Sequence, residues 1–394
     1  MAEETVAQAL ETELIDVTDM ARLEGAWRDL YARSLERNIF LDPDFALPAL
    51  AYLHPQELKI LAVFDAAPER RLLALTPLAP PRLPCGLARG YLHKQAALGL
   101  PLLDRTLAAP ALAKLVDAVK TLPLAPSALI FGDIPRAGPT FRLLGDMFGE
   151  DRLHLISQYE RAALLPTAPD ASVDRKTKAG KNAARLFRRL AEHGALSYRV
   201  ARNADVGPAM AEFLALEARG WKGTSKTALA STPERARFAT SMAENFARAG
   251  KLRIESLDLD GKPVAMGIMI EDAGTVYFWK TAYDEAYAAL SPGVLFVREL
   301  TARLAAGGTP LKIDSCAMPH HPMIDHLWPQ RIAMLDLALA LPAGRRGRMA
   351  VAAERLRRRL RTAAKDLLRR SSGGTTGVEK TWVDKTLMIW RARS

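Results

Sequence analysis

The chain has 394 residues, 49% hydrophobic and 25% charged, the make-up of a globular protein long enough for two domains. No apolar run is long enough to span a bilayer, the acidic start MAEETVAQALETELIDVTDM is unlike a secretory leader, and Cys85 and Cys316 stand far apart without metal-type spacing, so a cytoplasmic protein without a disulfide framework is expected. The net charge of +11 suggests nucleic acid, but eleven Lys/Arg and two acids between Arg345 and Arg370 contribute +9, leaving +2 for the rest.

In the first half, Leu23, Trp27, Leu30 and Tyr31 recur at helical spacing and predict a helix over about Met20–Leu35. LKILAVF (58–64) and LLALTPLA (72–79) predict two strands joined by the polar turn DAAPERR. After the break PPRLPCG, ALAKLVDAVKTL (111–122) predicts a helix and SALIFGDI (127–134) a strand. KTKAGKNAARLFRRL (176–190) is rich in Lys and Arg with no acid; it reads as a solvated amphipathic helix or as a surface for an anionic polymer or phosphates.

The second half repeats the order of the first. Helices are expected over 207–219 and Pro233–Arg248, then strands LRIESLDL (252–259), PVAMGIMI (263–270) and TVYFWKTAY (275–283), the first two joined at Asp260-Gly261. A helix from Pro292 to about Ala306 carries Phe296, Leu300 and Leu304 on one stripe, and LKIDSC (311–316) reads as a buried strand. The basic segment 345–370 has Val351, Leu356, Leu360, Leu367 and Leu368 at amphipathic spacing. It suits an anionic membrane surface, nucleic acid, or one face packed on the body with its arginines solvated. SSGGTTG is a linker, and VEKTWVDKTLMIWRARS can supply a terminal strand.

A three-strand meander that feeds a helix, followed by a strand returning parallel to the third, opens a cleft where the parallel pair splays. The helix start Ser291-Pro292-Gly293 would sit beside it. Ser291 suits an N-cap and Pro292 the first helical position, while Gly293 permits close approach. The Gly293 and Val294 amides would then offer an anion site, or simply head a well-capped helix.

These features resemble the GNAT acyltransferase superfamily. Trp27, NIFLDPDFALPAL (38–50), LLALTPL (72–78), LGLPLLD (98–104), KNAARLFRRLAEHG (181–194), FLALEARGWKG (213–223) and the strand with Asp314 share in the likeness. GKPVAMGIMI and YFWKTAYDEAYAALSPGVLF are more specifically similar to the CelD/BcsL-type acetyltransferases of cellulose and exopolysaccharide synthesis; the domain is also similar to Fem-type aminoacyltransferases. The likeness covers roughly residues 20–340 with order and spacing kept. It implies an α/β (α+β) fold of tandem GNAT-like domains, each a mixed, mostly antiparallel sheet flanked by helices. The expected divisions are 12–155, a copy without cofactor; 156–344, the catalytic copy; 345–370, the basic helix; and 371–394, linker and strand. Acetyl-CoA is the implied acyl donor, its pyrophosphate at Ser291, Gly293, Val294 and Leu295 and its pantetheine arm along Trp279, Lys280, Thr281 and Ala282. The family fingerprint has Arg or Gln and two spaced glycines, whereas AALSPGVL offers Gly293 alone.

Acyl transfer to an amine or hydroxyl needs an oriented thioester, a base and an acid. Asp314, in the apolar run KIDSC, reads either as the base or as a bridge between backbone groups. Asp284 and Glu285 read as cleft or solubilising acids, and Tyr283 and Tyr287 as acids for the leaving thiolate or as cleft wall. GWKG (220–223), with Glu217 and Arg219 before it, reads as an acceptor loop, Trp221 facing a sugar and Lys222 holding an anion, or as a plain helix stop. HHPMIDH (320–326) matches no metal-ligand spacing, so no metal is expected, and His320 or His321 near Asp314 is the better use of it. Neither cysteine has the setting of an activated nucleophile.

The reading is a direct acyl-CoA-dependent N- or O-acetyltransferase with a small-molecule or saccharide acceptor. Peripheral contact with an anionic membrane through 345–370 is possible, and nucleic acid is not an expected partner. Two alternatives stand beside it: a Fem-type enzyme using aminoacyl-tRNA, disfavoured for want of a long helical hairpin arm, and a non-catalytic scaffold at a polysaccharide-synthesis complex.

Overall fold

The structure, a computed structural model, describes residues 9–53, 57–84, 86–90, 94–165, 178–306, 312–341 and 344–371. Cys85 and the expected strand within 372–394 lie outside the described residues. Contacts divide the chain into one unit of Met1–Tyr159 with Ala333–Glu379 and another of Glu160–Ile332 with Lys380–Ser394. The stretch from Ala333 and the basic helix after it therefore fall in the first unit.

In chain order the elements are β1 (Leu10–Asp16), α1 (Glu24–Ala32), α2 (Pro43–Leu53), β2 (Lys59–Asp65), β3 (Leu72–Ala79), β4 (Leu87–Gly90), β5 (Leu102–Leu103), α3 (Ala108–Lys120), β6 (Ala128–Pro135), α4 (Pro139–Arg152) and β7 (Leu153–Leu164). Then come α5 (Lys178–Ala191), β8 (Leu196–Arg202), α6 (Val206–Arg219), α7 (Trp221–Thr224), α8 (Pro233–Arg248), β9 (Leu252–Leu259), β10 (Lys262–Asp272), β11 (Thr275–Tyr283), α9 (Pro292–Ala306), β12 (Lys312–Asp314), α10 (Ile324–Leu327), β13 (Gln330–Ala340) and α11 (Arg345–Ser371).

The two units share one plan. In the first, β1, β2, β3 and β4 run antiparallel in that order, β6 joins β4 in parallel after α3, and β13 pairs antiparallel with the other edge of β6. In the second, β8, β9, β10 and β11 run antiparallel, β12 joins β11 in parallel after α9, and the end of β7 pairs antiparallel with β12 at Ala163 and Leu164. The strand that pairs with each unit's parallel strand follows the other unit's parallel strand in the chain. The mixed, mostly antiparallel α/β fold expected in both halves is present.

Burial explains the elements. β2 and β3 are buried along almost their whole length, as their unbroken apolar runs require. α3 buries Ala108, Ala111, Leu112, Leu115, Val116 and Val119, the stripe of an amphipathic helix. Asp104 closes the head of α3: its Oδ1 accepts the Thr106 amide at 2.8 Å, the Leu107 amide at 3.0 Å and the Thr106 hydroxyl at 2.6 Å. Arg33 pairs with the other oxygen of this buried carboxylate.

In the second unit, α9 lies against β10 where Gly267 has no side chain. A Cβ there would meet Phe296 Cε1 at 2.7 Å and Phe278 Cε2 at 2.8 Å. Tyr198 stacks on the same Phe296, with centroids 6.0 Å apart. Trp328, fully buried, meets Phe278 edge-on and donates from Nε1 to Thr301 Oγ1 at 3.0 Å. These contacts fix where α9 begins relative to β11. Gly267→Val should destabilise the second unit by about 1–3 kcal/mol through overpacking, read as an earlier midpoint in urea unfolding.

Candidate active site

β11 pairs with β10 along its whole length but with β12 only at Thr275, Val276 and Tyr277. Past Tyr277 its other edge has no strand beside it among the described residues. The parting coincides with a bulge: Met269 faces Phe278 and Ile268 faces Lys280, leaving Trp279 as the extra residue. A bulge bends its strand and re-aims side chains. Here Trp279 meets Phe238 of α8 edge-on, with centroids 6.1 Å apart, and the Lys280 ammonium lies 5.4 Å from the Trp279 ring centre. Lys280 thus shares the side of the sheet taken by α6 and α8.

That side carries a charge network delivered by the GWKG loop. Lys222 Nζ donates to Glu217 Oε1 at 2.9 Å and to the Thr281 carbonyl, on the open edge of β11, at 2.7 Å. Glu217, 3% exposed, also accepts the Leu229 amide at 2.7 Å. Burial pushes its carboxyl up, but the charges of Lys222 and Lys280 and the Leu229 amide outweigh it and hold Glu217 below the usual range. Lys280 moves the other way: burial and then the Lys222 charge lower its ammonium to about 8, against the pull of Glu217.

The loop folds this tightly because Gly223 has no side chain; a Cβ there would lie 1.8 Å from the Ala218 carbonyl oxygen. Glu285, after β11, accepts the Trp221 amide and ties the loop down. Both residues expected to act in chemistry or acceptor binding here, Glu285 and Glu217, are therefore engaged in holding Lys222 in place.

At the head of α9, Ser291 is left-handed (φ 53°, ψ 51°) instead of the extended conformation of an N-cap. Its carbonyl accepts the Val294 amide at 3.0 Å and the Leu295 amide at 3.1 Å. Of the three amides expected to meet phosphate, Gly293 alone has no acceptor among the described residues. Where a Gly293 Cβ would be, Tyr283 Cδ1 is 3.5 Å and Met323 Sδ 3.6 Å away, so these two residues frame the helix head. Burial and then Glu285 raise the Tyr283 phenol, keeping it protonated and able to donate.

Beyond β12 the chain lines the other side of the parting. Asp314 is buried in a pair with Arg161 of β7, 2.5 Å from Nη2 to Oδ2, and its Oδ1 accepts the Cys316 amide at 2.9 Å. Asp314 is thus held by one side chain and one backbone amide. Burial and then Asp314 raise the Cys316 thiol well above its ordinary value, the opposite of an activated nucleophile. His321 Nδ1 accepts the Met323 and Ile324 amides, each at 3.3 Å. Burial lowers its imidazole to about 4 despite Asp325, so it stays neutral with the proton on Nε2, a donor and not a base. His320 and Arg219 are exposed, apart from this network. Among the described residues no three His, Cys, Asp or Glu side chains are grouped to hold a metal ion.

The structure thus brings together Glu217, Trp221, Lys222, Trp279, Lys280, Thr281, Tyr283 and Glu285, with Gly293 at the nearby helix head. Buried Ala282 contributes backbone only. Arg161 was missed: nothing local in YERAAL marks its arginine as buried. Lys280 was named only for its backbone, because its side-chain direction follows from the bulge.

Residues 177–316 match the family model described as an acetyltransferase (GNAT) domain, which spans α5 through β12 and the site. No curated protein matches the chain. Among solved structures, the C-terminal domain (DUF2156) of a candidate lysylphosphatidylglycerol synthetase from Agrobacterium fabrum is similar at 14% identity and TM-score 0.53, over 91% of this chain and 99% of that one. L-PGS from Bacillus licheniformis is similar at 13% identity and TM-score 0.51, over 87% of this chain and 98% of that one. At these identities the likeness is one of fold.

Removing one partner of the buried Asp314–Arg161 pair strands the other. Arg161→Met should cost about 3–5 kcal/mol in urea unfolding, and Arg161→Met with Asp314→Leu should recover much of it.

Proposed function

We propose that the second unit is an acyl-CoA-dependent acyltransferase that passes an acyl group, acetyl in the simplest case, directly to an amine or hydroxyl. The observation that carries this reading is the parting of β11 from β12 beside the head of α9, inside the segment that matches a GNAT domain. The open edge of β11 suits the amides of a pantetheine arm. The Gly293 amide and the positive end of α9 suit a phosphate. Only one amide is free there, so the α9 head offers a phosphate fewer donors than a glycine-rich helix head would. Lys222 already holds the Thr281 carbonyl, and a donor amide has to share or take that group.

In the proposed chemistry Lys280, in its neutral form, accepts the proton of the acceptor amine or hydroxyl. The acceptor's nitrogen or oxygen bonds to the thioester carbonyl carbon, the carbon–sulfur bond breaks, and Tyr283 gives its phenolic proton to the departing thiolate. Burial and the Lys222 charge keep part of Lys280 neutral near pH 8, against the pull of Glu217. Asp314 would have to leave Arg161 to act as base, which makes it the weaker candidate. The Trp221 face remains the acceptor platform in this reading. The saccharide acceptor and the link to cellulose or exopolysaccharide synthesis rest on the CelD/BcsL-type resemblance. A second reading, an aminoacyl group delivered on tRNA, gains from the single free amide at α9.

Titration calorimetry of acetyl-CoA into the wild type and Gly293→Trp, with free CoA and bulk tRNA as comparisons, tests the donor. Saturable acetyl-CoA binding lost in the variant, whose circular dichroism is unchanged, is the expected result. Salt-sensitive tRNA binding without CoA binding would replace the reading with the second one. With a donor in hand, kcat/KM should rise with pH through about 8 as Lys280 loses its proton. Lys280→Met should remove that rise and lower the rate by roughly 10²–10⁴-fold while leaving donor binding in place.

A further inference from the structure

α11 presents two faces with different tasks. Gly347, Val351 and Glu354 are buried and Arg358 is half-buried, one stripe at helical spacing. Val351 packs with Ala128, Ile130 and Ala338. Glu354 accepts from Arg89 at 3.0 Å, Arg357 at 2.8 Å and Arg358 at 2.9 Å. Arg358 also reaches Asp336, and Arg355 donates to the Leu155 carbonyl. Burial raises the Glu354 carboxyl, but hydrogen bonds from Arg357, Arg89 and Arg358 reverse this and keep it ionised. These contacts all lie within the first unit, and they fix which face of the helix turns outward.

The outward face is apolar along its centre. Met349 is 71% exposed, Leu356 57% and Leu360 61%. At 3.6 residues per turn the three lie within about 40° of one another around the helix. Ala353, Ala363 and Ala364 beside them are also exposed, and the exposed Arg345, Arg346, Arg357 and Arg359 flank the stripe. The one acid between Arg345 and Arg361, Glu354, is turned inward. Nucleic acid has no use for three long apolar side chains in the middle of its contact surface. An anionic bilayer uses both parts: the apolar centre enters the acyl boundary, and the arginines reach lipid phosphates. No helix among the described residues is long and apolar enough to cross a membrane.

We propose that α11 is an interfacial helix that seats the first unit on an anionic lipid surface, with Met349, Leu356 and Leu360 inserted and the flanking arginines at the headgroups. The inference does not depend on the acyltransferase reading. It is tested with the full-length chain by co-sedimentation with vesicles of phosphatidylcholine alone and of phosphatidylcholine with phosphatidylglycerol. The wild type should bind the mixed vesicles and bind pure phosphatidylcholine far more weakly. The variant with Met349→Gln, Leu356→Gln and Leu360→Gln keeps every charge and should bind the mixed vesicles roughly tenfold or more weakly. Leu356→Gln and Leu360→Gln made singly should each show part of the loss and serve if the triple variant melts early. Failure of the wild type to bind the mixed vesicles would overturn the proposal, as would full binding by the glutamine variants. Double-stranded DNA binding that is stronger than vesicle binding and indifferent to the glutamines would assign the arginines to nucleic acid instead.

Discussion

The second unit depends on a single break in strand pairing. β11 must stay bonded to β10 along its whole length and yet leave β12 after three residues, and it does so by carrying Trp279 as an extra residue opposite a partner that has none. The bulge has three effects at once: it exposes a backbone edge, sets Lys280 on the α6 side of the sheet and makes room for the head of α9. Without it, Lys280 would alternate to the opposite face and lose Glu217. Gly267 and Gly223 support this arrangement from two sides, one admitting Phe296 against the strand and the other letting the loop close over its own helix.

Charge in the second unit is sorted by how completely it is paired. Asp314 and Arg161 form a buried pair between β12 and β7, and losing one partner of such a pair costs far more than replacing both by apolar residues. Glu217 is equally buried but divides its oxygens between Lys222 and a backbone amide, so its negative charge is fixed in place. Lys280 sits where two other cations reach it and only part of Glu217's charge is left to it. It is the group in this cluster whose protonation changes near neutral pH, and that follows from its neighbours and not from its own sequence context.

The larger elements were legible because their signals are local. The meander β9–β10–β11 announced itself through alternating apolar runs and the Asp260-Gly261 turn, and α9 through its proline start and apolar stripe. α2 was missed because Pro48 lies inside the helix, where proline ordinarily argues against one. β7, β8 and β13 were missed because their pairing partners are distant in sequence. At the site, the residue types of GWKG and of β11 were visible, but their uses were not. Glu217, expected at the acceptor, and Glu285, expected in catalysis, both hold the GWKG loop in the structure. Ser291 looked like a cap and instead supplies a carbonyl to the two amides expected to hold phosphate. Each of these outcomes is set by a contact between segments far apart in the chain, which no local pattern encodes.

The head of α3 shows what the shared plan permits. In the first unit the turn just ahead of α3 is held by the Asp104 carboxylate, which accepts the Thr106 and Leu107 amides and pairs with Arg33. A helix end that carries its own anion has no call for an outside one. The outer edge of β6 is met by β13, which is made only after the second unit's β12. During synthesis the β6 edge therefore waits, unpaired, while nearly the whole of the second unit is produced. Neither half of the gene can be expressed alone without leaving such an edge open to another chain.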